Sequence, residues 1–298
     1  MAKAVSKLAS ALTATGLLLA PAAAGHHKTP ATRDMQDDRG SLPPWTPGYL
    51  YIHHISTGSG NAAYFIFPDG TTLLLDAGDL DRESMKANAP LKMLDPRPDA
   101  SRRPGEWIVD YIRQFAPTDR PVRLDYAMIS HFHSDHFGHV SAASPVSKTG
   151  AYRLTGILDV AESIPIGTLI DRAAPDYRAP VDLRRCPDGA GGTLANYLRY
   201  VDYRRGHGEA VEGLEPGRND QLTLRYHARA YPGFSVRSLA ASGVQWTGRG
   251  TGTVRRIPQG AITGCAFNEN PFSLAIRLSY GAFDYYSGGD TTGIRDAD

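Results

Sequence analysis

The chain has 298 residues, 41% of them hydrophobic, which is enough for one large core. Its formal charge of +1 gives no global bias toward nucleic acid or an anionic membrane surface. Its two cysteines, Cys186 and Cys265, lie in no metal-ligand spacing; in an exported protein they are permitted to form one disulfide, and otherwise they are two thiols.

Taken in order, residues 1–24 read as a secretory signal peptide. Lys3 and Lys7 give a positive start, Leu8 to Ala20 is an apolar stretch too short to span a bilayer, and Ala22-Ala23-Ala24 offers a small-residue cleavage site. Residues 25–47 are polar and proline-rich and read as a disordered lead-in, so His26 and His27 are discounted as ligands. No later run is long enough for a membrane helix. The expectation is a secreted or periplasmic protein without stable membrane insertion.

Residues 48–298 carry the fold. Tyr51 to Ile55, Asn61 to Phe67 and Thr71 to Leu75 read as strands, with Pro68-Asp69-Gly70 turning the chain between the last two. Ile108, Tyr111, Ile112 and Phe115 recur at helical spacing behind Pro104. Tyr126 to Ile129 is apolar without a break and reads as a buried strand that Ser130 ends. Ile166 to Ile170 is strand-like and closes on Asp171. A second helix shows Leu194, Tyr197, Leu198 and Val201 on one face, with Thr193 as its N-cap. Leu222 to Tyr226, Phe234 to Leu239, Leu274 to Tyr280 and Phe283 to Ser287 complete the predicted strands. This succession suggests two packed sheets with helices outside.

The chemistry lies in His131-Phe132-His133-Ser134-Asp135-His136. Imidazole and carboxylate together suit zinc, and also manganese or iron. His131 and His133 are two apart, so on an extended segment both rings point the same way and can grip one ion. Asp135 and His136 follow at a turn and can face a second. The bland alternative is a loop of solvated histidines. Arginine outnumbers lysine, and the doublets Arg184-Arg185, Arg204-Arg205 and Arg255-Arg256 suit phosphate by their geometry, although with a near-neutral net charge ordinary solvated surface is the favoured reading.

This run resembles the signature of the metallo-β-lactamase superfamily. Asp69-Gly70-Thr71-Thr72-Leu73-Leu74-Leu75-Asp76-Ala77-Gly78 is similar to the first motif of that family, and Ser287-Gly288-Gly289-Asp290 to its fourth. Gly60 to Gly70 and Asn268 to Leu274 resemble the hydrolase domain of ComEC-type DNA-uptake proteins and their secreted relatives. The resemblance implies a four-layer αββα sandwich whose C-terminal part is incomplete, because family members continue past the bridging aspartate. It implies that His131 and His133 hold one ion, Asp135 and His136 a second, and Asp290 bridges them, with one or two zinc ions and manganese or iron as alternatives. Asp76 would orient the ligand loop, and Asp135 would either ligate or orient the nucleophile. Asn270 and Ser273 either line the pocket or serve a turn.

The resemblance implies a metal-dependent hydrolase, acting on a phosphodiester, nucleic-acid-like or other small-molecule substrate through a metal-activated water. A β-lactam or lactone substrate, or a non-catalytic member that only binds metal, are the alternatives. The family's usual third histidine is missing. His207, His227 and the carboxylate of Asp171 are the weak substitutes.

Overall fold

A computed structural model describes residues 42–80, 94–186 and 192–292. The signal-peptide reading, and all of the lead-in before residue 42, fall outside the described residues. By its internal contacts the chain divides between Pro43 and Pro44, and all the described strands and helices belong to the unit that begins at Pro44.

The first sheet has six strands in the order β1-β2-β3-β4-β5-β6. They are β1 (Tyr51–His54), β2 (Ala63–Ile66), β3 (Thr72–Leu75), β4 (Leu124–Ile129), β5 (Ile166–Asp171) and β6 (Ala210–Gly213). The first three pair antiparallel, and β3 through β6 run parallel. Strands β3 and β4 are buried on both faces, as their continuous apolar runs require. The second sheet is antiparallel throughout, in the order β11-β10-β7-β8-β9. It contains β7 (Phe234–Ala241), β8 (Val244–Trp246), β9 (Thr253–Arg255), β10 (Ala275–Tyr280) and β11 (Phe283–Ser287).

Strand alternation divides the apolar side chains into two cores. Tyr64, Ile66, Leu74, Ala127 and Ile129 face the helices. Those are α1 (Pro104–Phe115), α3 (Ile157–Ser163) and α4 (Thr193–Gly206); a four-residue α2 (Ser134–Phe137) lies in the ligand loop. Phe65, Leu73, Leu75, Tyr126 and Met128 face the other way and meet Val236, Ile276 and Leu278 of the second sheet and Leu274 just before it. Each leucine, isoleucine, valine, phenylalanine or methionine among them, fully buried, contributes about 1.5–3 kcal/mol. Helices therefore cover one face of the first sheet and the second sheet covers the other. Among the described residues this is a mixed α/β protein of two sheets and four α-helices.

Three local expectations change. Thr193 is the first helical residue rather than the N-cap. Gly192 takes the cap position at φ 90°, and the Thr193 hydroxyl accepts the Val140 N–H at 3.1 Å. Leu222 to Tyr226 forms no strand. Its backbone donors are taken by side chains instead of a ladder: Thr223 N–H by the Tyr126 hydroxyl at 3.0 Å, Arg225 N–H by Thr71 Oγ1 at 2.7 Å, and Tyr226 N–H by Asp69 Oδ2 at 2.8 Å. The strands β6, β8 and β9, three or four residues each, are too short to show a period and are not evident from sequence. Cys186 and Cys265 are joined as a disulfide. No helix among the described residues is long and apolar enough to cross a membrane.

Candidate metal centre

Parallel strands aim their C-terminal ends at one edge of a sheet, and that edge is where α/β proteins place ligands. Here Asp76 leaves β3, the His131–His136 run leaves β4, and Asp290 arrives after β11. His133 caps α2, whose single turn swings Asp135 and His136 back over the end of β3. Three backbone bonds fix that turn. Asn61 N–H donates to Asp135 O at 2.7 Å, Ala77 N–H to His136 O at 2.8 Å, and Asp79 N–H to Ser134 O at 3.0 Å. Only glycine fits at position 78, because a Cβ there would lie 1.8 Å from the Asp135 carbonyl oxygen.

Asp76 is the hub of this packing. It is fully buried and sits at φ 61°, a left-handed conformation uncommon outside glycine. Its Oδ1 accepts the Ser130 N–H at 2.7 Å. Its Oδ2 accepts the Ser130 hydroxyl at 2.9 Å, the Asn61 amide at 3.1 Å and His136 Nδ1–H at 2.8 Å. With Nδ1 committed, His136 directs Nε2 toward Asp290 Oδ1 at 3.3 Å and Asp135 Oδ2 at 3.7 Å. Such a carboxylate behind an imidazole sets the tautomer and orientation that a metal ligand needs.

His131 is wholly buried, and its Nδ1 lies 3.1 Å from Ser130 Oγ. Its Nε2 lies 3.1 Å from His133 Nδ1 and 3.9 Å from Asp290 Oδ2. Two nitrogens held tetrahedrally on one zinc at ~2.0–2.1 Å would stand roughly 3.3 Å apart. Among the described residues two groups of three ligand atoms result, each within 4.8 Å: His131, His133 and Asp290, and Asp135, His136 and Asp290. Asp290 belongs to both. Gly289 places it by adopting φ 53°, with its Cα so near Ser130 that a Cβ would come within 2.9 Å of the serine Cβ.

The electrostatics agree with this donor set. Burial, reinforced by the neighbouring His136, His133 and Arg172, pushes His131 down to about 2, so its ring is neutral and offers a lone pair. Burial opposes a charge on His136 as well, but Asp76, Asp135 and Asp290 outweigh it and raise its pKa. The anionic pocket thus attracts a cation at the point where a metal would stand. Imidazole and carboxylate donors set together fit zinc and its neighbours in the first transition row.

The weak substitutes for a third histidine do not reach the site. Asp171 is buried, but its oxygens accept Ala173 N–H and Ala174 N–H at 2.8 Å, the Tyr177 hydroxyl at 2.5 Å and the Tyr197 hydroxyl at 2.8 Å. His207 Nδ1 is 2.8 Å from the Tyr203 carbonyl at the end of α4, and His227 joins neither ligand group. Ser273 Oγ accepts the Asp290 N–H at 3.3 Å, while Asn270 opens a short 3-10 turn. Asn61 and Ser130 are the partners that spacing does not reveal. Asn61 lies in a glycine-rich stretch and Ser130 reads only as a strand end, yet both bond to Asp76. The arginine doublets are largely committed within the fold: Arg184 to Asp202, Arg185 to Asp182 and Arg204 to Glu209. A cleft of about 560 Å³ is lined, among the described residues, by Asp79, Arg103, His139 and Ser141.

No protein-family model and no curated protein matches the chain. Solved structures similar to it include CmlA, a diiron β-hydroxylase from Streptomyces venezuelae, at 12% identity and TM-score 0.32 over 82% of this chain and 30% of that one. A point mutant of the same β-hydroxylase shows 14% identity and TM-score 0.33 over 85% and 32%. The chain spans about a third of the length of those proteins.

Proposed function

We propose that this chain is an exported metal-dependent hydrolase of the metallo-β-lactamase superfamily, with the four-layer αββα fold of that class, acting on a phosphodiester or nucleic-acid-like substrate. The observation that carries the reading is the pair of ligand groups sharing Asp290, assembled from segments distant in sequence. The resemblance of the Asn268–Leu274 and Gly60–Gly70 stretches to ComEC-type hydrolase domains supports the substrate class. The signal-peptide pattern of residues 1–24 supports export.

In this reading His131, His133 and Asp290 hold one ion, and Asp135, His136 and Asp290 hold the other. When bound, such ions lower the pKa of a coordinated water toward neutrality and polarise the scissile oxygen. The chain's own residues do the rest. Asp76 keeps Nδ1–H on His136, so Nε2 stays free for ligation. Ser130 holds His131 and Asp76 in register. Asp290, with its side chain 41% exposed, presents the assembled centre to solvent and to an arriving substrate.

The test is a substrate panel on the zinc- and manganese-loaded protein: bis-p-nitrophenyl phosphate, single- and double-stranded DNA, nitrocefin and a lactone. Turnover of a phosphodiester alone, abolished in His133→Ala, is the expected result. Turnover of nitrocefin or lactone alone would replace the substrate class. Stoichiometric metal with no turnover of any substrate would make the chain a binding protein. N-terminal sequencing of the exported protein should begin near Gly25, and an intact Met1 would contradict export.

A further inference from the structure

The histidine loop has a second support, one half of it a residue that the His131–His136 run gives no hint of. Arg172, the first residue after β5, has a wholly buried side chain. Its Nε donates to Glu269 Oε2 at 2.6 Å, its Nη2 donates to Glu269 Oε1, and its Nη1 donates to the Ala179 carbonyl at 3.0 Å. The guanidinium lies 4.7 Å from the ring of Phe132 and 5.5 Å from that of Phe272. Glu269 Oε2 also accepts the backbone N–H of Phe132 at 3.4 Å. Phe132 stands between His131 and His133.

The segment that supplies Glu269 reaches the rest of the centre as well. Leu274 N–H donates to the Ser130 carbonyl at 2.8 Å, and Ser273 Oγ accepts the Asp290 N–H. The stretch from Glu269 to Leu274 thus touches the strand end before the ligand run, the residue inside it, and the shared aspartate. Burying an ion pair is costly, and a well-packed apolar pair often serves stability as well or better. A planar, bidentate, ring-flanked pair does something an apolar pair cannot: it fixes direction.

We propose that Arg172 and Glu269 are positioning residues that hold His131 and His133 at metal-binding spacing, so that they set metal affinity and not only stability. This rests on the metal-centre reading of His131 to Asp290. The experiment titrates the purified chain with Co²⁺ and, against a chelator, with Zn²⁺. It compares wild type, Arg172→Lys, Glu269→Gln and the distant control Asp69→Asn, each shown to be folded by circular dichroism. The two brace variants should bind about ten- to a hundredfold more weakly, with an altered Co²⁺ visible spectrum. Asp69→Asn should bind as wild type even where it melts earlier. Should Arg172→Lys or Glu269→Gln fail to fold, Phe272→Leu removes one ring face alone and should give a smaller loss in the same direction. Wild-type affinity and spectrum in the brace variants, with metal bound normally by wild type, would overturn the brace. A wild type that binds neither ion would overturn the metal-centre reading, and the brace would fall with it.

Discussion

At the scale of the residue, Asp76 converts a loop into a site. Its two oxygens accept four hydrogen bonds from three residues, all in a buried place where an unmet donor is expensive. Asp76→Ala would leave Ser130 N–H, the Asn61 amide and His136 Nδ1–H without their acceptor. The expected loss is about 1–3 kcal/mol or more in urea unfolding, together with weaker metal binding. Unchanged stability would mean that the hub is dispensable. The ligand run itself was legible because four donor side chains crowd into one short stretch, a pattern that the chain does not repeat. Asn61, Ser130 and Glu269 were not legible as site residues. Resemblance marks the stretches that hold Asn61 and Glu269, and Ser130 adjoins the ligand run, but the role of each comes from a contact formed only when separate segments meet.

At the scale of the element, turns and caps decide the geometry. Gly78→Ala places a methyl against the Asp135 carbonyl, and neither backbone can yield without moving the ligand turn. Overpacking of this kind costs about 1–3 kcal/mol. The variant should also bind metal more weakly than wild type in the same chelator competition, and equal affinity would show that the turn has slack. The turn between β2 and β3 carries a different device. Asp69 accepts N–H groups from Thr71, Tyr226 and His227 at 2.9, 2.8 and 3.0 Å. Burial alone would raise its pKa, but those donors outweigh burial and hold it below the ordinary carboxylate value. A depressed folded pKa means that the stabilisation is full above the unfolded-state value and is lost as pH falls through the folded one. Asp69→Asn should therefore lower stability at neutral pH and flatten its decline below about pH 4; an acid-unfolding profile parallel to wild type would contradict this. The same contacts explain why Leu222 to Tyr226, apolar and alternating, is no strand: side chains already hold its donors. The elements that an unbroken apolar run, alternation and helical period did announce, β4, β10 and α1 respectively, owe their form to burial that the sequence states openly.

At the scale of the whole molecule, two sheets and their outer helices were readable from the order of apolar segments, because each strand's alternation names the faces it must bury. The pairing of the sheets was less readable, since β6, β8 and β9 are too short to show a period. The Cys186–Cys265 disulfide closes a span of 79 residues and anchors the chain just ahead of Glu269. A Cys186→Ser, Cys265→Ser variant should be less stable by about 2–4 kcal/mol, read as a lower denaturation midpoint that reducing agent does not lower further. No difference from oxidised wild type would show that the bridge is idle. The central claim is that segments after β3, β4 and β11 assemble one metal centre. Its most direct measurement is metal content by elemental analysis, after gentle dialysis, of wild type, His133→Ala, Asp290→Ala and His54→Ala. One to two ions per chain are expected in wild type and in His54→Ala, whose ring lies 6.2 Å from Tyr285 on the first strand, with loss in the other two. A folded wild type free of metal and indifferent to chelator, or full metal content in both His133→Ala and Asp290→Ala, would contradict the claim.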